Sequence, residues 1–286
     1  MELIKENSLW KDAFRRLTKD KWALISLIIV LGYALVAILA ALGIVASDWA
    51  REVGAGNLPP SAEHWFGTDM FGRSVLAKVI RGTQIAMSVG LAASLIAIPI
   101  GVILGALAGY FGGWVDDFIT WLYTTFSSIP NIMLLISITM ILGKGIFAVY
   151  IALGLTSWVT LCRLIRGEVM KHKEREYVQA AGAIGGGHFR KLFLHILPNV
   201  THIVIINTSL QFQFAIKSEV ILSYLGLGVQ GEPSWGTMID DAKLELSRGV
   251  WWQLASATFA MFLVVLAFNL LGDALRDSLD PKLKGK

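Results

Sequence analysis

The stretch EYVQAAGAIGGGHFRKLFLHILPN, Glu176 to Asn199, is a polar, glycine-broken insert between two long apolar runs, and it organises the reading of the chain. Tyr177, Ala181 and Ile184 recur at i, i+4, i+7, which predicts a short helix with one apolar stripe, joined by Ala180 and flanked by Glu174, Arg175, Glu176 and Gln179. Gly185 to Gly187 stop that helix at low steric cost and permit a sharp change of direction. A second short helix, 188–197, is expected before Pro198 resets the chain into the next apolar run. The resulting shape is a lever: helix, glycine corner, helix, proline.

The rest of the chain says what the lever is attached to. Of 286 residues, 55% are hydrophobic and only 16% charged, and the mean hydropathy is +0.62. Those values belong to a chain with several membrane spans and exclude an ordinary soluble enzyme. The net charge of +4 is no signal for nucleic acid, because basic residues in such a chain mark one membrane face. Membrane lipid, and no nucleic acid, is the expected surroundings. The single cysteine, Cys162, excludes a disulfide framework and any multi-cysteine metal site.

In chain order, residues 1–21 carry Lys5, Lys11, Arg15, Arg16, Lys19 and Lys21 with Trp10, Phe14 and Leu17 at helical spacing, the pattern of an interfacial amphipathic helix. A first span is expected over 22–47 and an external loop over 48–82. The core, 83–275, should hold five more spans, with the lever loop over 168–197 and a second external loop over 226–249. A basic tail, 276–286, follows. Gly101, Gly105 and Gly109 put a groove on one face of the second span. Pro130-Asn131 interrupts the third.

Six Lys and Arg in 1–21, seven in 163–191 and four in 276–286 place seventeen of the chain's 25 on one side. By the positive-inside rule that side is cytoplasmic, with both termini and the lever. The turn at Asp116-Asp117 has no basic residue and gains no support from the rule.

Three sets of residues make the resemblance specific. Ala180-Ala181, then Gly185, then Leu197-Pro198 resembles the "EAA" coupling loop of ABC importer permeases, which docks into the ATP-hydrolysing subunit. Gln179 stands where that family usually has Glu, and His195 where it usually has an aliphatic residue; YVQAA and HILPN are similar to the forms of the peptide and nickel branch. HWFGTDMFGRSVLAKVIRGTQIAMSVGL, His64 to Leu91, resembles the C-type permease subunit of dipeptide and oligopeptide importers. GYFGGWVDD and VLAFNLLGDALRDSLDP carry the likeness to nearly the whole chain.

The resemblance implies an all-α integral membrane protein of six transmembrane helices with the type I ABC importer permease fold, in the inner membrane. It implies a heterodimer with a second permease subunit, two ATP-binding subunits inside and an extracytoplasmic solute-binding protein. Coupling falls to Glu174, Glu176, Tyr177, Gln179, Ala180, Ala181, Ile184 and Gly185. No GxxxxGK[ST] loop is present, so ATP and Mg would be bound by the partner subunits, with no resident cofactor and no catalytic residue here.

Gly226 to Gly231 formally reads GxGxxG, but it follows an apolar helix rather than a strand, and Pro233 interrupts any βαβ unit. His188, His195 and His202 are two helical turns apart, too far to share one metal ion. Lys217 and Glu219 are the costly residues of the fifth span and cannot face each other at a spacing of two. Either one or both line a translocation path with Asn207 and Gln211, or they snorkel as a pair near the outer interface. Gln213 and the other amides equally suit a helix interface. Nickel or another small solute is the alternative cargo. A secondary transporter would need an inverted repeat and richer intramembrane charge, and neither is found.

Overall fold

A computed structural model describes residues 17–18 and 20–279, and there every regular element is a helix. In order these are α1 (Lys21–Ala41), α2 (Val75–Phe111), α3 (Gly113–Ser128), α4 (Asn131–Leu142), α5 (Ile146–Thr156), α6 (Trp158–Lys173), α7 (Glu176–Ala183), α8 (His188–Arg190), a π-helical turn (Lys191–Ile196), α9 (Leu197–Tyr224), α10 (Trp235–Leu246) and α11 (Trp252–Leu279). Most of the basic amino-terminal segment and of the basic tail lies outside the described residues.

Five stretches are long and apolar enough to cross a bilayer: α1, α2, α5 with α6, the run from α8 through α9, and α11. The pair α3 and α4 supplies a sixth if taken as one span, bent by 92°. The bend has a local cause. Pro130 excludes its predecessor from the helical region, and Ile129 is extended at φ −93°, ψ 131°.

The second span starts well before the expected Ile85. Ser74 caps α2 at Val75, its side chain accepting from the Ala77 N–H. The polar run LAKVIRGTQ is therefore helix and not loop, because its charges find partners inside the protein. Pro99 lies within α2 without ending it.

The glycine groove of α2 receives α6 in parallel register. A Cβ at Gly101 would come within 2.9 Å of the Trp158 carbonyl oxygen, one at Gly105 within 2.5 Å of that of Cys162, and one at Gly109 within 2.5 Å of that of Arg166. Backbone meets backbone here, so no side chain can swing aside. Gly105→Val is expected to force the helices apart at a cost of about 3 kcal/mol, read as a fall in the thermal unfolding midpoint of the detergent-solubilised chain; an unchanged midpoint would contradict the close approach.

Candidate functional site

At the end of the bundle where α6 stops, α7 forms the expected short helix with the expected corner. The Gly186 N–H reaches back to the Ala181 carbonyl (2.9 Å) and the Gly185 N–H to that of Gly182 (3.0 Å), with Gly185 at φ +86°. This double bond with a left-handed residue is a Schellman cap, and it makes the corner a defined turn rather than a slack hinge.

The buried stripe of α7 differs from the one read off the sequence. Val178 and Ala181 are buried, Val178 in a cluster with Val169, Leu192, Ile196 and Val200. Tyr177 is 38% exposed and Ile184 87% exposed. Periodicity placed Tyr177, Ala181 and Ile184 on one face, but the helix ends at Ala183, so Ile184 falls on the turn and projects outward. Tyr177 OH lies 2.7 Å from His172 Nδ1, and Gln179 donates to the Glu174 carbonyl at 3.3 Å. Glu174, Glu176, Gln179, Ala180 and Gly185 are exposed. Phe189 and Phe193 stack on each other nearby, at 74% and 43% exposure.

Pro198 does not interrupt the chain. The helix runs from His188 to Tyr224, and the π turn before Pro198, closed by Leu197 N–H to Leu192 carbonyl, takes the place of the expected break. Proline is tolerated in the first turn of a helix because no N–H is needed there, and π turns absorb the extra residue. The second arm of the lever, from His188 on, is thus helically continuous with α9, and the Schellman corner joins α7 to it.

Between two and four turns past Pro198, α9 meets a cavity of about 510 Å³. Asn207 and Gln211 line it, with Ser127 and Asn131 from the α3–α4 bend and Thr160 and Arg163 from α6. Asn207 donates to the Ile203 carbonyl of its own helix, and Gln211 Nε2 has no partner. Lys217 and Glu219 do not line this cavity. Lys217 is exposed, whereas Glu219 is fully buried and accepts from Ser223 Oγ at 2.6 Å. Their spacing of two sends them to opposite sides of α9, so they do not act as a pair. Gln213 donates to Asn269 Oδ1 of α11 at 2.9 Å, which makes it an interface residue.

Sequence reading missed a third feature, at the opposite end. Asp69, 1% exposed, accepts from the Phe71 and Arg73 N–H groups and from Lys78 Nζ at 3.0 Å. Lys78, 4% exposed, also donates to Gln253 Oε1 at 2.9 Å, and Asp241 stands 3.5 Å away. Glu245 accepts from the Met70 N–H at 3.0 Å, and burial pushes its carboxyl above the usual range against the pull of that bond. Trp252 Nε1 donates to the Thr68 carbonyl. Together these pin the Gly-Thr-Asp turn to α10 and α11, while Arg81 forks onto Glu232 and reaches the Ala40 carbonyl. The sequence carries no local signal for this pairing, because Asp69 and Lys78 fall in the stretch 48–82 that reads as a loop and their partners lie far along the chain.

His188 meets Tyr110 and His202 meets the Asn199 carbonyl, so the histidines serve separate contacts. Among the described residues no three His, Cys, Asp or Glu side chains are grouped to hold a metal ion.

The profile of the binding-protein-dependent transport system inner membrane component family matches residues 97–285. The chain belongs to that family. Residues 8–60 also match the N-terminal TM domain of oligopeptide transport permease C. Relatives of this permease component align over nearly its full length. The dipeptide transport system permease protein DppC of Alkalihalophilus pseudofirmus is 39% identical over 97% of this chain and 91% of its own. The oligopeptide transport system permease protein OppC of Bacillus subtilis is 37% identical over 98% and 92%. The glutathione transport system permease protein GsiD of Escherichia coli O6:K15:H31 is 36% identical over 100% and 95%. The permease component is a multi-pass inner-membrane protein of the type I importer fold, and ATP is hydrolysed by partner subunits of its system.

Proposed function

We propose that this chain is one of two permease subunits through which di- and oligopeptides enter the cell, with two ATPase subunits inside, one of them docked at α7, and a solute-binding protein at the opposite end. In this reading both termini and α7 are cytoplasmic, and ATP and Mg²⁺ sit on the partners. The observation that carries it is the unbroken helix from His188 to Tyr224, which runs from the exposed Phe189, just past the α7 corner with its exposed Ile184 and Tyr177, to a cavity lined in part by Asn207 and Gln211. A set of exposed apolar side chains on a soluble-facing turn is a docking surface, and a rigid rod transmits its displacement. ATP-driven closure of the partners would push Glu174 to Ile184, and the Schellman corner would pass the movement into α9, switching the cavity between the two membrane faces.

The lining of the cavity favours peptide over nickel. Among the described residues its lining is apolar side chains, amides, hydroxyls and the Arg163 guanidinium, with no carboxylate, imidazole or thiol, so a divalent cation finds no ligand set there. The test is uptake into proteoliposomes holding the complete complex, with labelled di-, tri- and pentapeptides against Ni²⁺. ATP-dependent peptide accumulation without Ni²⁺ accumulation is the expected result; the reverse selectivity would overturn the assignment.

A further inference from the structure

The cavity contains a charge that the peptide reading has not used. Arg163 lines it from α6, its Nη2 donating to Ser127 Oγ at 2.9 Å and its guanidinium standing 4.7 Å over the Tyr123 ring. One turn along α6, Arg166 is forked onto both carboxylate oxygens of Asp116 and so has its counter-ion within the protein. Among the described residues Arg163 has none: its contacts there are a hydroxyl and an aromatic face, and no carboxylate of those residues lines the cavity. A guanidinium carries five N–H donors in a planar fork that matches a carboxylate, and the bond to Ser127 occupies only one nitrogen.

The surrounding groups complete a pattern. Asn131, Asn207 and Gln211 offer amides to the same space, and Gln211 Nε2 is unpartnered within the protein. Amide donors and acceptors beside a fixed, unpaired cation match an extended peptide that ends in, or carries, a carboxylate.

We propose that Arg163 is a carboxylate subsite of the translocation cavity, holding the carboxylate of the cargo while Asn131, Asn207 and Gln211 meet its backbone amides. The hold of Ser127 and the Tyr123 ring keeps the guanidinium aimed while the cavity is empty. This inference rests on the peptide reading above and adds a specificity-determining residue to it.

The test uses the complete complex in proteoliposomes with the binding protein saturated, comparing wild type, R163K and R163Q. The probes are Ala-Ala-Ala, its C-terminal amide, and amidated Ala-Glu-Ala. Because every permease variant meets the same loaded binding protein, a change in the ratio between probes belongs to the permease. R163Q should lower uptake of Ala-Ala-Ala about tenfold, the worth of a charged hydrogen bond, and leave the neutral amide within about twofold. R163K should retain part of the preference. Dependence of amidated Ala-Glu-Ala on Arg163 would extend the subsite to side-chain carboxylates; independence would restrict it to the chain terminus.

An equal fall for all three probes would overturn the subsite and leave Arg163 a structural clamp on Ser127. Unchanged ratios with normal uptake would overturn it as well. Should R163Q fail to assemble, S127A keeps the charge but frees the side chain, and the same selective loss, about threefold, is required. Wild-type complex that transports no peptide at all would sink the peptide reading itself, which the other outcomes leave standing.

Discussion

Asp69→Ala is expected to destabilise the subunit by about 3–5 kcal/mol, because it strands the Lys78 ammonium in the interior. Lys78 would keep Gln253 Oε1 and the more distant Asp241 carboxylate, but Asp241 is half exposed and 3.5 Å away. The same substitution removes the acceptor for the Phe71 and Arg73 N–H groups, so the Gly-Thr-Asp turn loses its internal frame. Gly67 has little room to compensate: at φ +74° it already lies so close to the Leu58 carbonyl that an added Cβ would sit 2.6 Å from that oxygen. Thermal unfolding of the solubilised chain, or its abundance in membranes, reads the effect. Adding Lys78→Met to Asp69→Ala should recover much of the loss, since an apolar chain needs no counter-ion there. An Asp69→Ala chain as stable as wild type would show that water reaches Lys78.

Ile184→Asp is expected to lower ATP-driven uptake about a hundredfold while the chain folds normally. Folding is spared because Ile184 is 87% exposed, on a turn held by backbone bonds of its glycine neighbours. Coupling is lost because a carboxylate would have to be desolvated in an apolar contact. The estimate takes Ile184 as a central anchor of the interface, where truncation alone costs about 2 kcal/mol or more. Ile184→Ala should therefore show a smaller loss, about tenfold. The measurements are copurification of the ATPase subunits in mild detergent and uptake in the reconstituted complex. Wild-type values for both in Ile184→Asp would mean that α7 is not the docking element.

The two predictions differ in how far the residues alone lead to them. Ile184 and its glycine corner stand out in the sequence because apolar spacing and three consecutive glycines are local signals. Asp69 and Lys78 do not, since a lone lysine in a polar segment reads as a solvated charge until Gln253 and Glu245, far along the chain, are brought beside it. The same limit explains the start of α2. Helical spacing could not reveal that Lys78 and Thr83, before Ile85, would be buried and bonded.

Hydropathy, the positions of Gly and Pro, and the spread of Lys and Arg determined on their own that this chain is a helical membrane bundle with a polar lever between its fourth and fifth apolar runs. These follow from short-range physics: apolar length against bilayer thickness, backbone freedom at glycine, its loss at proline. Tertiary structure alone decided which face of α7 is buried, that α9 runs unbroken through Pro198, that Glu219 is buried while Asn207, Gln211 and Arg163 share one cavity, and that Asp69 holds Lys78. Each of those depends on which distant helix supplies the neighbouring atoms, and burial and ion pairing are properties of that neighbourhood rather than of the residue that carries them.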